Sequence, residues 1–354
     1  MATHNLTTKY SDLIAERYHQ KSRTKGRFSN KYKFVGAKTI KVYSVNPVAM
    51  NDYNTGRNYN RYGDPVDVSD TVQEMTMKGQ RSFSAILDKT VSVDQCIEKA
   101  GAFLRAQTDE MVVPEMDKYV FGRVAHLAGK IVGTTTALTE DNIIKRMNAA
   151  RTYMSNKRVP TSNRTWYVSA TVYGLVLENK WFMSLEKLGV KAIAEGHVGT
   201  LFGYPVIEIP DDMMPEGVGF MLVHRDSVIN PIKIDDVKVH QDPPGIAGNL
   251  VEGLYYYDAF VIGAKADGVY VDVTTGGNVT VAAAPTVGTD GKITVASGMT
   301  CKYTVDGSDP RYSDSAVTIT ATTSAAVAAA GAIVKAYQYK DGAYASDVAQ
   351  NTVA

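Results

Sequence analysis

The sequence predicts an α+β body followed by a small all-β domain, and three observations carry that expectation. Polar and apolar residues alternate at 38–43 (KTIKVY), 71–78 (TVQEMTMK), 81–88 (RSFSAILD) and again within 227–271, the period-two pattern of half-buried strands. Apolar residues recur at helical spacing over 94–130 and 139–154. Beyond residue 272 glutamate disappears, Arg311 is the only arginine, and Ala, Thr, Val and Gly dominate. A domain boundary therefore falls at the Thr-Thr-Gly-Gly run of 274–277.

A chain of 354 residues exceeds the usual single domain, so one large core with an appendage is expected. Its 44% hydrophobic and 21% charged residues exclude a disordered or collagen-like polymer. No apolar run approaches the roughly 18 residues that a spanning helix needs. The opening MATHNLTTKYSDLIAERYHQ has no apolar core of a secretion signal, so synthesis and work in a cytoplasm are expected. Cys96 and Cys301 lack metal-ligand partners at useful spacing and read as reduced, inert thiols.

The elements follow in order. Lys9, Arg17, Lys21, Arg23, Lys25, Arg27, Lys31, Lys33, Lys38 and Lys41 face only Asp12 and Glu16 before residue 50, which makes the N-terminal segment a basic arm. Such an arm suits phosphate or an acidic protein surface. Interleaved Tyr10, Tyr18, Phe28, Tyr32 and Phe34 exceed what a solvated tail requires, so the arm is expected to dock. The strand at 38–43 leads into VNPVAMNDYNTGRNYNRYGDPVD, a turn-rich stretch with many tyrosines and asparagines. With the strands at 71–78 and 81–88, residues 38–92 read as one extended hairpin that projects for a binding task, since structureless loops of this length are uncommon. At about 3.3 Å per residue, roughly twenty residues of strand reach on the order of 60 Å, enough to meet a neighbouring subunit.

Asp94 can cap a long helix with Ile97, Ala100, Leu104, Ala106 and Met111 on one stripe. Pro114 then opens either a second helix or a kinked continuation to Lys130, with Met116, Tyr119, Val120 and Leu127 in the core. A further helix opens at Thr139, carries Glu140 and Asp141 where they suit its dipole, and presents Ile143, Met147, Ala150 and Met154 on one face. TWYVSA (165–170) is strand-like, 171–179 a short helix capped by Ser169, and YPVIEIP and GFMLVH short strands, so 138–228 is expected to be a compact α/β unit. The strands within 227–271 need partners, and the hairpin and long helix are available. After 274, short strands between turns such as Asp306-Gly307 and Asp341-Gly342 indicate a small β-sandwich.

The search for chemistry ends empty. His224-Arg225-Asp226 with Asn230 has the look of a kinase catalytic loop, but it is one residue short and no Gly-rich phosphate loop or Asp-Phe-Gly accompanies it. The six histidines show no ligand spacing, and no GxSxG, Walker or dinucleotide fingerprint occurs. No catalytic residue, metal or cofactor is expected, which favours a structural or binding role.

Four segments in order, GAKTIKVYSV, KGQRSFSAILD, FLRAQTDEMVVPEMDKYVFGRVA and YYYDAFVIGAKADGVYV, resemble major capsid proteins of tailed bacteriophages of the Hong Kong 97 type, over roughly residues 30–272. RTWYVSATVYGLVLEN resembles the helix-flanked strand of that family's axial domain. The resemblance implies an N-arm (1–37), an extended loop (38–92), a peripheral domain with its spine helix (93–137), an axial domain (138–228) and strands closing the peripheral domain (229–273). It implies no enzyme activity and self-assembly into hexamers and pentamers of an icosahedral shell, put together in a bacterial cytoplasm around double-stranded DNA that is contacted non-specifically. Portal and scaffolding proteins would be further partners. Contacts between subunits are expected from Arg23, Lys25 and Arg27 on the arm and from Tyr53, Arg57, Tyr59, Arg61 and Tyr62 at the loop tip. One departure is that some members cross-link through a lysine near the loop tip, whereas no lysine lies between Lys41 and Lys78 here.

CKYTVDGSDPRYSDSA (301–316) and VKAYQYKDGAYASDV (334–348) resemble immunoglobulin-like domains found on some phage shells and at the ends of certain glycan-acting enzymes. Residues 274–354 are accordingly expected to fold independently on the outer surface, with no need to bury a face against the body. Tyr312 and Tyr344 are candidate glycan contacts, although they and Tyr337 and Tyr339 serve equally well as core or ordinary surface aromatics. Two alternatives share parts of this pattern: a bacterial nanocompartment shell of the same fold, and a glycan-binding surface protein or enzyme. The basic arm, long loop and added β-domain favour the virus over the first, and the missing catalytic constellation counts against the second.

Overall fold

The computed structural model describes residues 21–88, 100–179, 197–241, 243–323 and 328–354, apart from 33, 35, 36, 49, 64, 66 and 69. At its centre is a mixed six-stranded sheet. Side by side lie β4 (Lys130–Thr134), β13 (Val269–Thr274), β8 (Val218–His224), β5 (Arg164–Ser169), β7 (Tyr204–Ile209) and β6 (His197–Leu201). β13 runs parallel to β4 and antiparallel to β8. Side chains alternate across a strand, so Val269, Val271 and Val273 enter one core while Tyr270 enters the other. Both faces are covered, which is why β8 is buried along its whole length and apolar up to His224.

One face packs against α2 (Val113–His126) through Val120, Phe121 and Val124. The opposite face packs against α3 (Glu140–Asn156) and α4 (Ala170–Glu178). α3 buries Ile143, Met147, Ala150 and Met154, the four residues its spacing selects. Asn142 Oδ1 accepts from the Thr139 backbone N–H at 3.0 Å, and Ser169 Oγ accepts from Val172 N–H at 3.3 Å to cap α4. Arg164 is buried and donates to the carbonyls of Pro160 (2.9 Å) and Val159 (2.6 Å), closing the turn after α3.

Pro114 does not start a separate helix. α1 (Ala100–Gln107) continues through a π-helical turn (Thr108–Val112) into α2. The wider turn ahead of the proline absorbs the missing N–H and the ring's demand for space within the continuous helix. The expected stripe is broken at Met111, which is 59% exposed. Asp94 and Ile97 lie outside the described residues.

β1 (Thr39–Val45) and β2 (Asp70–Thr76) form the expected hairpin, with Val42 opposite Gln73. β3 (Gly79–Asp88) does not extend it: β3 pairs with β11 (Gly248–Tyr257), which pairs with β10 (Ile232–Gln241). For the strands within 227–271, the hairpin and long helix turn out to be only part of the partnership. β10 and β11 meet β3, but β13 enters the central sheet, so the unit expected at 138–228 is completed by β4 and β13 from outside that range. A third cluster, including Phe34, Val42, Met75, Met77, Tyr256 and Phe260, fills the hairpin's base.

The C-terminal part holds β14 (Thr286–Val287) paired with β15 (Ile293–Thr294), and a sheet ordered β17 (Val317–Ile319), β16 (Thr300–Thr304), β18 (Ile333–Tyr339), β19 (Ala349–Thr352). Val287, Ile293, Cys301, Val334, Ala336 and Val353 make its own core. Burial pushes the Cys301 thiol up to about 11, which keeps it protonated and inert; Cys96 lies outside the described residues. This part, expected to need no buried face against the body, does bury one: Tyr312 and Tyr344 belong to the body's core.

Candidate interaction surfaces

The arm is tied down at one buried carboxylate. Asp117 of α2, 2% exposed, accepts from Ser22 Oγ (2.8 Å), Arg23 N–H (2.6 Å) and Thr24 Oγ1 (2.5 Å). Four residues on, Phe28 is buried and lies 6.0 Å from Tyr167 between ring centroids. Ser29 N–H donates to Val228 O at 2.9 Å, and Lys31 pairs with Asp226 at 3.3 Å. The described arm thus docks on its own body. Of the three basic residues expected to touch neighbours, Lys25 is exposed, whereas Arg23 and Arg27 are half-buried. Sequence reading missed Asp117, yet the signal is there: an acid stands on the helix stripe that Val120, Phe121 and Val124 continue.

The hairpin tip has the opposite character. Tyr53 and Tyr62 meet edge to face with centroids 5.1 Å apart, and Asn54 N–H donates to Arg61 O at 2.9 Å. Arg61 Nε donates to Arg57 O at 2.5 Å. Asn60 and Gly63 take positive φ of 55° and 87°, which turns the chain back sharply. Tyr59 and Tyr62 are 89% and 83% exposed, and Met50 is 99% exposed. Tyr43, Val45, Tyr53 and Val68 add exposed apolar surface along the same hairpin. The structure thus gathers Tyr53, Arg57, Tyr59, Arg61 and Tyr62 into one ordered, uncovered tip, and it places Arg23, Lys25 and Arg27 on a different element.

Tyr312 and Tyr344, the candidate glycan contacts, are not available as such. They are 7% and 5% exposed, and their hydroxyls donate to Leu127 O (2.6 Å) and Glu216 O (2.8 Å). Burial raises both phenols, Tyr344 to about 12. Their aromatic bodies fill the seam with the body while their hydroxyls satisfy backbone carbonyls. In the His224-Arg225-Asp226 run, His224 Nδ1 accepts from Asp226 N–H at 3.3 Å, and Asp226 faces Lys31. Among the described residues no cluster of His, Cys, Asp or Glu is arranged to hold a metal ion. No described helix is long and apolar enough to cross a membrane.

No family model and no curated protein sequence matches the chain. Solved structures do. A chain from Mycobacterium phage Che8 superposes with a TM-score of 0.64 at 18% identity, covering 77% of this chain and 99% of that one. A chain of the capsid structure of cyanophage P-SCSP1u gives 0.61 at 12% identity, covering 77% and 94%. One from the mature capsid of bacteriophage PhiM1 gives 0.59 at 15% identity, covering 76% and 91%. With nearly the whole of each phage chain matched, the protein has the fold of these phage chains, two of them from capsid structures.

Proposed function

We propose that this protein is the major capsid protein of a tailed phage, which self-assembles into the icosahedral shell around double-stranded DNA. The observation that carries the reading is the joining of a capsid fold to a long hairpin whose ordered tip leaves the body with Tyr59, Tyr62 and Met50 uncovered. Exposed apolar surface of this kind on a projecting element calls for a partner, and in a shell the partner is the adjacent copy. Its similarity to phage capsids favours a genome container over a nanocompartment. The exposed Lys25 and the cations of the arm suit non-specific neutralisation of packaged phosphate. The C-terminal part, with sheets of four and two strands around a small core, fits an immunoglobulin-like sandwich on the outer surface.

The test is assembly. The expressed chain should sediment as megadalton particles that appear as closed shells by negative-stain electron microscopy. Removing 51–63 should leave folded subunits or capsomers and no shells. Normal shells from the deletion, or a small oligomer from the intact chain, would overturn the reading.

A further inference from the structure

We propose that the C-terminal domain is a brace built into the body, locking the base of the β1–β2 hairpin to the end of α2 and to the edge strand of the central sheet. Three sets of contacts carry the inference, each on a different body element.

At the helix end, Arg311 Nη1 donates to the carbonyls of Ala128 (3.2 Å) and Gly129 (2.8 Å), just past the last turn of α2. Asp309 holds the guanidinium from behind, accepting from Nε at 3.0 Å and Nη2 at 2.7 Å. A cation here complements the negative end of the helix dipole, and the planar fork reaches two carbonyls and a carboxylate at once. Tyr312 adds its bond to Leu127 O, so three successive carbonyls are satisfied by two neighbouring residues of the C-terminal domain.

At the hairpin, Asp314 N–H donates to Val72 O of β2 at 3.0 Å, and its carboxylate faces Lys41 of β1 at 3.4 Å. Residues 309–314 therefore touch both the helix end and the two strands that carry the exposed tip. At the sheet, the contacts fall on and beside the edge strand β4. Lys130 of β4 pairs with Asp347, and Tyr344 stacks on His126 with centroids 4.5 Å apart.

The body is shaped to receive these contacts. A Cβ on Gly263 would stand 2.6 Å from Tyr312 Cβ, one on Gly133 2.8 Å from Val281 Cγ2, and one on Gly217 2.5 Å from Val279 Cγ1. Three separate body glycines that leave room for 279–312 are hard to reconcile with a loosely tethered appendage.

The experiment uses the full-length chain with a specific protease site inserted between Gly277 and Asn278, in the exposed turn after β13. After cleavage, the brace predicts that the C-terminal fragment stays with the body on gel filtration under native conditions. A second variant, Asp314→Pro, removes the N–H given to Val72, and amide hydrogen exchange across 39–45 and 70–76 should quicken about tenfold while α3 is unchanged. Prompt separation of the fragment, or unchanged hairpin exchange in the Asp314→Pro variant, would each overturn the proposal. If that variant does not fold, the cleavage result decides alone.

Discussion

Asp117→Ala should free the arm without unfolding the body. Three donors from 22–24 converge on this one buried carboxylate. A hydrogen bond to a charged acceptor contributes about 1.5–3 kcal/mol, and donors left in place without it would be worse off than donors released to water. The substitution therefore favours release of 21–27 by at least about 3 kcal/mol, or over a hundredfold in the opening equilibrium. Release should stop at Phe28, whose burial holds the next segment by about 1.5–3 kcal/mol. Trypsin reads this directly, because Arg23, Lys25 and Arg27 lie within the released stretch. Cleavage there should quicken by two orders of magnitude, while the thermal melt of the body moves little. Asp117→Asn, which keeps one good acceptor, should fall between. Wild-type cleavage rates in Asp117→Ala would refute the reasoning, as would a collapse of the melt in step with cleavage.

Two glycines make an internal control: a Cβ on Gly129 would lie 2.1 Å from Ala266 O, whereas one on Gly122 meets nothing within 4 Å. Gly129→Ala should cost about 1–3 kcal/mol, and Gly122→Ala inside α2 should add about 0.5–1 kcal/mol, both read by chemical denaturation. His224 is held below its ordinary 6.5, chiefly because burial disfavours the cation, with Arg164 and Lys265 adding repulsion and Asp226 opposing. The unfolded chain therefore takes up this proton first as pH falls through 6.5, and stability should drop from there until the folded state also protonates. His224→Asn keeps an acceptor for Asp226 and should flatten the melting-temperature profile between pH 7 and 5.5; His126, lowered by burial and Arg123, retains its share. Finally, with arginine and tyrosine at the tip and no lysine between Lys41 and Lys78, mature particles should run as a single band near 38.4 kDa on denaturing gels.

What the sequence made legible was local. The buried face of α3 and the Ser169 cap each rest on a period or a cap within seventeen residues and appear as read, whereas the hairpin read over 38–92 holds only for β1 and β2. Long-range pairing left no such trace: β13 is separated from β4 by 134 residues of chain at their closest ends, and nothing in VYVDVT names its partners. The π turn was hidden because Pro114 fits a helix start as well as a continuation. The docking of the C-terminal domain was hidden because a tyrosine in a Gly- and Ser-rich stretch looks the same whether its ring faces solvent or a neighbouring domain. The clues to long-range contacts were misfits: Arg311 as the lone arginine of its domain, Asp117 on an apolar stripe, Asp258 within the apolar run YYYDAFVI. Asp258 proves fully buried, accepting from Lys78 N–H at 2.8 Å and Tyr119 Oη at 3.1 Å.

The place of β13 in the sheet also sets an order of events during synthesis. β4, β5, β7 and β8 leave the ribosome well before β13, yet β13 fills the slot between β4 and β8. Until residue 274 has emerged, that slot stands open and the helix α2 has no complete surface to lie on. At about 5–20 residues per second, residues 275–354 take several seconds more to be made. The nascent subunit thus cannot complete its core until nearly all of its body has been made, and the residues made after 274 dock on a core that is by then complete.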